Sequence, residues 1–271
     1  MPELPEVETI ARGLAKRIAG DVIESVWLGL KPEPLKSPAA KIASTLESSR
    51  ISDVRRAGKH IVFDLAARAP DGKGQAQWIV HLGMTGSLRV CPPESRLEKH
   101  THAILRLASG RELRFVDPRR FGRLSVIEKF EAPGAEPLTI GSEDFVALFR
   151  RRKTPIKSAL LNQKLLSGVG NIYADESLFR ARIRPRRRAV SLSRAELRRL
   201  HAALKRVLRE AIQLGGSSIS DYVDPDGEEG FFQLRHRVYG REGKPCRGCK
   251  TPIKRLVIAG RSSHYCPQCQ K

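Results

Sequence analysis

Aromatic residues are scarce in this 271-residue chain, at 6% of the total. That scarcity argues against a protein that follows a long single strand by stacking base after base. No apolar run approaches the ~20 residues that a membrane-spanning helix needs. No signal peptide is visible either, because the first residues are acidic and interrupted by prolines. A basic amphipathic anchor with a wide apolar face is missing too, which makes an anionic membrane the weaker choice of partner. Acidic residues are few beside basic ones, 29 against 50, and the formal net charge is +21. So large an excess repels itself unless a polyanion is bound; nucleic acid is the first candidate, with ribosomal contact as an alternative. Cysteine is almost absent before residue 246: Cys91 stands alone at an apolar-to-proline turn and reads as a small structural side chain.

What is present suffices for two domains with proper cores, and 40% hydrophobic residues mark the chain as globular. Val7, Ile10, Leu14 and Ile18 recur at helical spacing and Pro5 suits a first turn, so an amphipathic helix is expected over 5–18. Strand-like runs follow at 22–28, 51–55, 61–65, 78–82, 88–91, 103–107, 112–116 and 123–127, separated by turn-formers such as Ser109-Gly110 and by a polar hairpin at 67–76. Short strands at this spacing predict a β-sandwich or barrel. Residues 131–142, rich in Pro, Gly, Ala and Glu, read as a linker. Helical signals dominate from 143 to 214: Ser193 with Glu196 forms a capping box, and Leu197, Leu200, Leu204, Val207 and Ala211 form a core-packing stripe. Residues 215–235 read as a long mobile loop. The last 37 residues hold ten Lys/Arg and one Glu. The expected fold class is therefore α+β and multidomain. An N-terminal β-sandwich with flanking helices occupies 1–130, a linker 131–142, a helical helix–two-turn–helix domain with its mobile loop 143–235, and a β-hairpin zinc finger 236–271.

Five motifs carry chemistry. The chain opens Met-Pro-Glu-Leu-Pro-Glu, and a small second residue lets an aminopeptidase remove Met1. The new terminus would be the secondary amine of Pro2, with Glu3 and Glu6 close by. An α-amine titrates near ~8, against ~10.4 for lysine, so far more of it is uncharged and nucleophilic at neutral pH. Most N-termini do no chemistry, and these six residues alone leave that bland reading open. The cysteines Cys246, Cys249, Cys266 and Cys269 fall as C-x2-C, sixteen residues, C-x2-C. Two such turns close a tetrahedral zinc site with no open position, hence one structural Zn2+ and no catalytic metal. Disulfides are the rival reading, disfavoured in an intracellular chain. Arg261 lies at the hairpin tip, formed by residues 260–263. In the stretch Lys164–Glu176, a helix ending near Gly168 and a second, about 172–181, capped by Asn171, resemble a helix–two-turn–helix that grips a phosphate; Arg152 and Lys157 lie just upstream. Asp117-Pro-Arg-Arg-Phe-Gly122 places Arg119 and Phe121 on a loop able to wedge into a base stack, and Met84 occupies another glycine-flanked loop, where the alternative is a core methionine. Lys59, in the turn after Gly58, could hold a phosphate or lower a neighbouring amine's pKa, or be a solvated strand-edge lysine.

In their order along the whole chain these motifs resemble the formamidopyrimidine-DNA glycosylases, bacterial base-excision enzymes for oxidised purines. The resemblance implies that Pro2 is the nucleophile that attacks C1′ and forms a Schiff base, with Glu3 protonating the opening sugar. Lys59 is implied as a catalytic, phosphate-contacting lysine, and Arg261 as a phosphate-binding proton donor for the second of two eliminations. His100, Arg119, Arg152, Lys157 and Asn171 are implied as DNA contacts. Met84, Arg119 and Phe121 are implied to fill the gap left by the flipped base, and the loop at about 217–235 resembles one that caps the lesion. The partner implied is damaged double-stranded DNA, and the protein is expected to be a cytoplasmic monomer without membrane contact. Two readings compete: an endonuclease VIII-like enzyme for oxidised pyrimidines, which shares Pro2 and Glu3, and a non-catalytic zinc-ribbon DNA-binding protein. Leu4 and the 117–122 sequence favour the purine branch. His60 stands where a tyrosine is frequent in the family.

Overall fold

The computed structural model describes residues 1–66, 76–218 and 229–271. The expected polar hairpin, except Ala76, and the centre of the expected capping loop lie outside these residues. By internal packing the chain divides into two units, Met1–Glu131 with Gly215–Gly230, and Ala132–Leu214 with Phe231–Lys271.

The first unit starts with helix α1 (Leu4–Ile18), one residue earlier than the apolar spacing alone indicates. Pro5 occupies the first turn, where an N–H would have no helical partner, and the Glu6 carboxylate accepts the Glu3 N–H at 2.8 Å. The chain continues through β1 (Ile23–Leu28), α2 (Ala39–Leu46), β2 (Arg50–Ala57), β3 (His60–Ala66), β4 (Ala76–His81), β5 (Ser87–Cys91), β6 (Thr101–Leu107), β7 (Glu112–Val116) and β8 (Arg123–Ile127). Each strand falls on one of the expected runs. They form two antiparallel four-stranded sheets, ordered β1-β6-β7-β5 and β2-β3-β4-β8. The alternation is visible in β6, where Ala103, Leu105 and Leu107 are buried while Arg106 is exposed. One core joins both sheets to α1 and α2: Leu14, Ile18, Ile42 and Leu46 share it with Phe63, Trp78, Leu105 and Phe115. Burying each such side chain contributes about 1.5–3 kcal/mol.

The second unit holds α3 (Ser142–Phe149), α4 (Ile156–Leu161), α5 (Asn171–Arg180), α6 (Arg194–Gln213), β9 (Lys254–Ile258) and β10 (Arg261–Tyr265). The segment read as a linker packs here, with Gly134 N–H donating to Ser167 Oγ and Ala135 bridged to Leu166. The capping box of α6 forms: Ser193 Oγ accepts the Glu196 N–H, and the Glu196 carboxylate accepts the Ser193 N–H. The helix expected to run to Gly168 ends at Leu161. Gln163 stops it, donating Nε2 to the carbonyls of Leu161 and Val169 and accepting the Gly168 N–H at Oε1. Gly168 turns there with φ +91°, a left-handed conformation that glycine adopts freely. No helix among the described residues is long and apolar enough to cross a membrane.

Candidate active site and nucleic-acid interface

In the first unit Pro2 and Glu3 are buried beside an exposed Met1. With Met1 attached, the Pro2 nitrogen is a tertiary amide and no nucleophile. Glu6 ties this terminus down twice. One carboxylate oxygen accepts the Glu3 N–H, and the other accepts the Ser217 N–H at 2.8 Å. A Cβ on Gly216 would stand 2.8 Å from that second oxygen, so a glycine is required where the chain leaves for the expected capping loop. Lys59 lies in a two-residue turn between paired Ala57 and His60, with Gly58 at φ +61°, the pattern of a II′ hairpin. Lys59 is itself buried. Arg56 braces its turn, donating to Gly58 O and to Glu8 Oε2 of α1 at 2.7 Å. Burial works against the Glu8 charge, yet Arg56 and Arg12 outweigh it and hold the carboxyl below its ordinary range. Next to Lys59, the His60 ring packs on His81 at 4.9 Å and on Phe130 at 4.7 Å. Burial, then the charges of His60, Arg123 and Lys59, push His81 down to about 4. The neutral ring accepts the Gly83 N–H on Nδ1 at 3.1 Å.

That bond opens the loop 82–86. Met84 is 41% exposed at its tip, which excludes a core methionine. The neighbouring loop 117–122 presents Phe121, 52% exposed, under the Arg119 guanidinium, 4.9 Å from the ring centroid. The two loops touch so closely that a Cβ on Gly83 would lie 2.5 Å from the Phe121 carbonyl carbon. His100 is exposed on the turn before β6, and its carbonyl accepts the Asp117 N–H.

In the second unit the structure corrects two expectations. Lys157, expected at the DNA backbone, is completely buried. Its ammonium meets Asp175 Oδ1 at 2.6 Å and donates to Ser262 O at 2.6 Å. A lysine so enclosed does not reach a phosphate; it joins α4 to α5 and to the hairpin. Asn171 is the first residue of α5 rather than its cap, because Gly170 takes the extended N-cap conformation. The Asn171 Nδ2 instead donates to Ser262 Oγ at 3.3 Å. Lys157 and Asn171 thus both grip Ser262, the residue after Arg261. The hairpin tip is Ala259-Gly260, with φ +47° and +73°, and exposed Arg261 begins β10 beside it. Arg152 is exposed, its Nε donating to Leu148 O.

The four cysteine Sγ atoms lie within 4.8 Å of one another, with Cys246–Cys269 at 3.9 Å and Cys249–Cys266 at 3.4 Å. Thiolates ~2.3 Å from a tetrahedral zinc stand about 3.8 Å apart, so the four residues fit the ion. Cys266 N–H donates to Gln270 Oε1, and the same side chain donates Nε2 to Ile183 O, seating the metal turn on the helical part of the unit.

Three domain models match in sequence order: the formamidopyrimidine-DNA glycosylase N-terminal domain over residues 1–124, the formamidopyrimidine-DNA glycosylase H2TH domain over 133–223, and the zinc finger found in FPG and IleRS over 243–271. The chain belongs to the formamidopyrimidine-DNA glycosylase family. The enzyme of that name from Solibacter usitatus is 46% identical over 275 residues, covering 100% of both chains. The one from Thermus thermophilus is 46% identical over 283 residues, covering 100% of this chain and 98% of that one. The crystal structure of MutM (Fpg) from Thermus thermophilus superposes with a TM-score of 0.86 at 43% identity, covering 99% of this chain and 98% of that one. A Lactococcus lactis Fpg complex with abasic-site DNA gives 0.89 at 33% identity, covering 99% of each.

Within this family frame, the residues that sequence reasoning passed over are the buried partners. Asp175 and Glu176 belong to the α5 motif, where the sequence assigns them no role. Asp175 Oδ2 accepts the His264 N–H at 2.8 Å, and the Glu176 carboxylate accepts the N–H groups of Arg237, Val238 and Tyr239. Burial pushes Glu176 up, opposed by those three donors. Their acidity inside an otherwise basic half of the chain was the one available signal.

Proposed function

We propose that this protein is a bifunctional DNA glycosylase and AP lyase that removes oxidised purines, 8-oxoguanine and formamidopyrimidines, from duplex DNA. One observation carries the reading: Met84, Arg119 and Phe121 are exposed together on two mutually supporting loops. An enzyme that flips a nucleotide spends a few kcal/mol on unstacking, and side chains wedged into the vacated stack offset that cost. Non-catalytic architectural proteins also insert wedges, so it is the pairing of this wedge with a glycosylase N-terminal domain over residues 1–124 that favours the enzyme. The Lactococcus lactis structure with Fapy-dG DNA and the MutM structure with carbocyclic 8-oxo-G DNA support the purine branch.

After removal of Met1, the Pro2 amine attacks C1′ of the flipped nucleotide. The C1′–N bond breaks, the base leaves with a proton, and Glu3 protonates the ring oxygen as the sugar opens to an iminium. Loss of a C2′ proton expels the 3′ phosphate, and a second elimination expels the 5′ phosphate with Arg261 as proton donor. Water then releases the sugar fragment and regenerates the amine. Lys59 acts at the reacting nucleotide, and His100, Arg119, Arg152 and Asn171 hold the backbone. Lys157 acts by fixing the hairpin that carries Arg261. The zinc, held by four thiolates, organises that hairpin and takes no part in bond making. The protein works as a monomer in the cytoplasm, on nucleoid DNA.

Duplexes each carrying one defined lesion test the reading. Excision of 8-oxoguanine and formamidopyrimidine is expected to exceed that of an oxidised pyrimidine by about tenfold or more, tenfold being the lower end of what one mismatched group in a pocket gives. Preference for the pyrimidine would move the chain to the endonuclease VIII-like reading. The metal gives a second expectation. Cys249→Ser lowers zinc affinity and DNA affinity together, because a small metal-organised hairpin folds only around its ion. Zinc release measured with a chromogenic chelator, beside a DNA-binding titration, checks this; intact DNA affinity in zinc-free protein would remove the finger from the interface.

A further inference from the structure

We propose that Asp117, acting through Thr85, is the positioning residue that makes the two wedge loops one body. The inference rests on the base-excision reading above. Asp117 follows β7 and is completely buried. Its Oδ1 accepts the Thr85 hydroxyl at 2.6 Å and the Arg119 N–H at 3.3 Å, and its Oδ2 accepts the Gly122 N–H at 2.7 Å. Thr85 Oγ1 also accepts the Arg119 N–H at 3.3 Å. The Asp117 carbonyl accepts from His102 Nε2 at 3.0 Å, fixing the carboxylate against β6. A carboxylate out of water is tolerable only with donors on both oxygens, and here those donors come from two different loops.

The loops leave no slack around this bond. Besides the Gly83–Phe121 approach, a Cβ on Gly122 would lie 2.5 Å from the Phe115 ring and 3.1 Å from Asp117 Oδ2. Met84 follows Gly83 and precedes Thr85, while Arg119 and Phe121 lie inside the span that Asp117 bridges to Gly122. Each wedge residue is therefore within two positions of an anchored backbone group. A wedge must hold its shape while the stack presses on it, since disorder in the free protein would be lost on insertion at an entropic cost. The Thr85 hydroxyl links the two loops in this network, donating to Asp117 Oδ1 and accepting the Arg119 N–H.

Thr85→Val removes the hydroxyl at constant shape and leaves the Asp117–Gly122 bond in place. Two probes separate wedging from chemistry: a duplex with one 8-oxoguanine, whose stack must be opened, and a single-stranded oligonucleotide with one abasic site, which has none to open. Single-turnover excision from the duplex is expected to fall about tenfold, the scale of one hydrogen bond to a charged group. Cleavage of the single strand should stay within about twofold of wild type. Thr85→Ser should restore the duplex rate, and Thr85→Val should add little in a Met84→Ala background, because both changes disable one wedge. An undiminished duplex rate, an equal loss on both probes, or full additivity with Met84→Ala would overturn the proposal. A wild-type protein inactive on both probes would instead sink the base-excision reading on which it stands.

Discussion

With any residue ahead of Pro2, borohydride will trap no protein–DNA crosslink. An amide nitrogen has no lone pair to give, whereas a free α-amine titrating near ~8 offers a useful neutral fraction at pH 7. The expected loss of excision is on the order of a thousandfold or more, as for removal of other nucleophiles. The chain should be made with a removable N-terminal extension, then assayed before and after the cut that exposes Pro2. Crosslinking should emerge only after the cut. Equal crosslinking by the extended form would exclude Pro2 and point to a side-chain amine. Pro2→Gly is the weaker control, because glycine also supplies an α-amine.

Replacing Lys157 with Met is expected to cost about 3–5 kcal/mol, the range for removing one partner of a buried ion pair. Asp175, almost completely buried, would be left with a charge answered by the His264 N–H groups. Removing both charges in Lys157→Met, Asp175→Leu should recover much of the loss, because the pair's own desolvation cost disappears with it. Calorimetry and urea unfolding of the variants check this, with zinc release as a local reporter. Unchanged stability in Lys157→Met alongside weakened DNA binding would return Lys157 to the phosphate-contacting role its position in the sequence first indicated.

The contrast between those two residues indicates what a sequence makes legible. Pro2 announces itself by chemistry, since only an N-terminal position turns a proline into an amine. Lys157 cannot announce its burial, because that depends on Asp175, far along the next helix, and on a hairpin 105 positions away. The strands of the first unit were readable because apolar residues alternate along them and turn-formers separate them. Helix α2 was not, since Ile42 and Leu46 are its only buried residues and two contacts make no recognisable stripe. The break after Leu161 was equally hidden: apolar residues continue to Leu166, and the Gln163 side chain stops the helix through bonds no periodicity encodes. Asp117 and Thr85 stood in plain view within two motifs, but only folding brings positions 32 apart onto one hydrogen bond. Motifs thus marked the reactive and wedge residues, buried or exposed, and the partners that aim them came from the structure.

The three N–H groups of residues 237–239 that close on Glu176 bear on how portable the zinc finger is. A domain model shared between FPG and IleRS describes a module that travels between proteins. Here the approach to that module is moulded on a carboxylate belonging to α5, outside residues 243–271 that the model matches. A finger transplanted from a relative would bring its cysteines and its metal but not this socket. Working chimaeras should therefore be those whose junction falls before Ile156, so that Lys157, helix α5 and the finger move as one inherited piece.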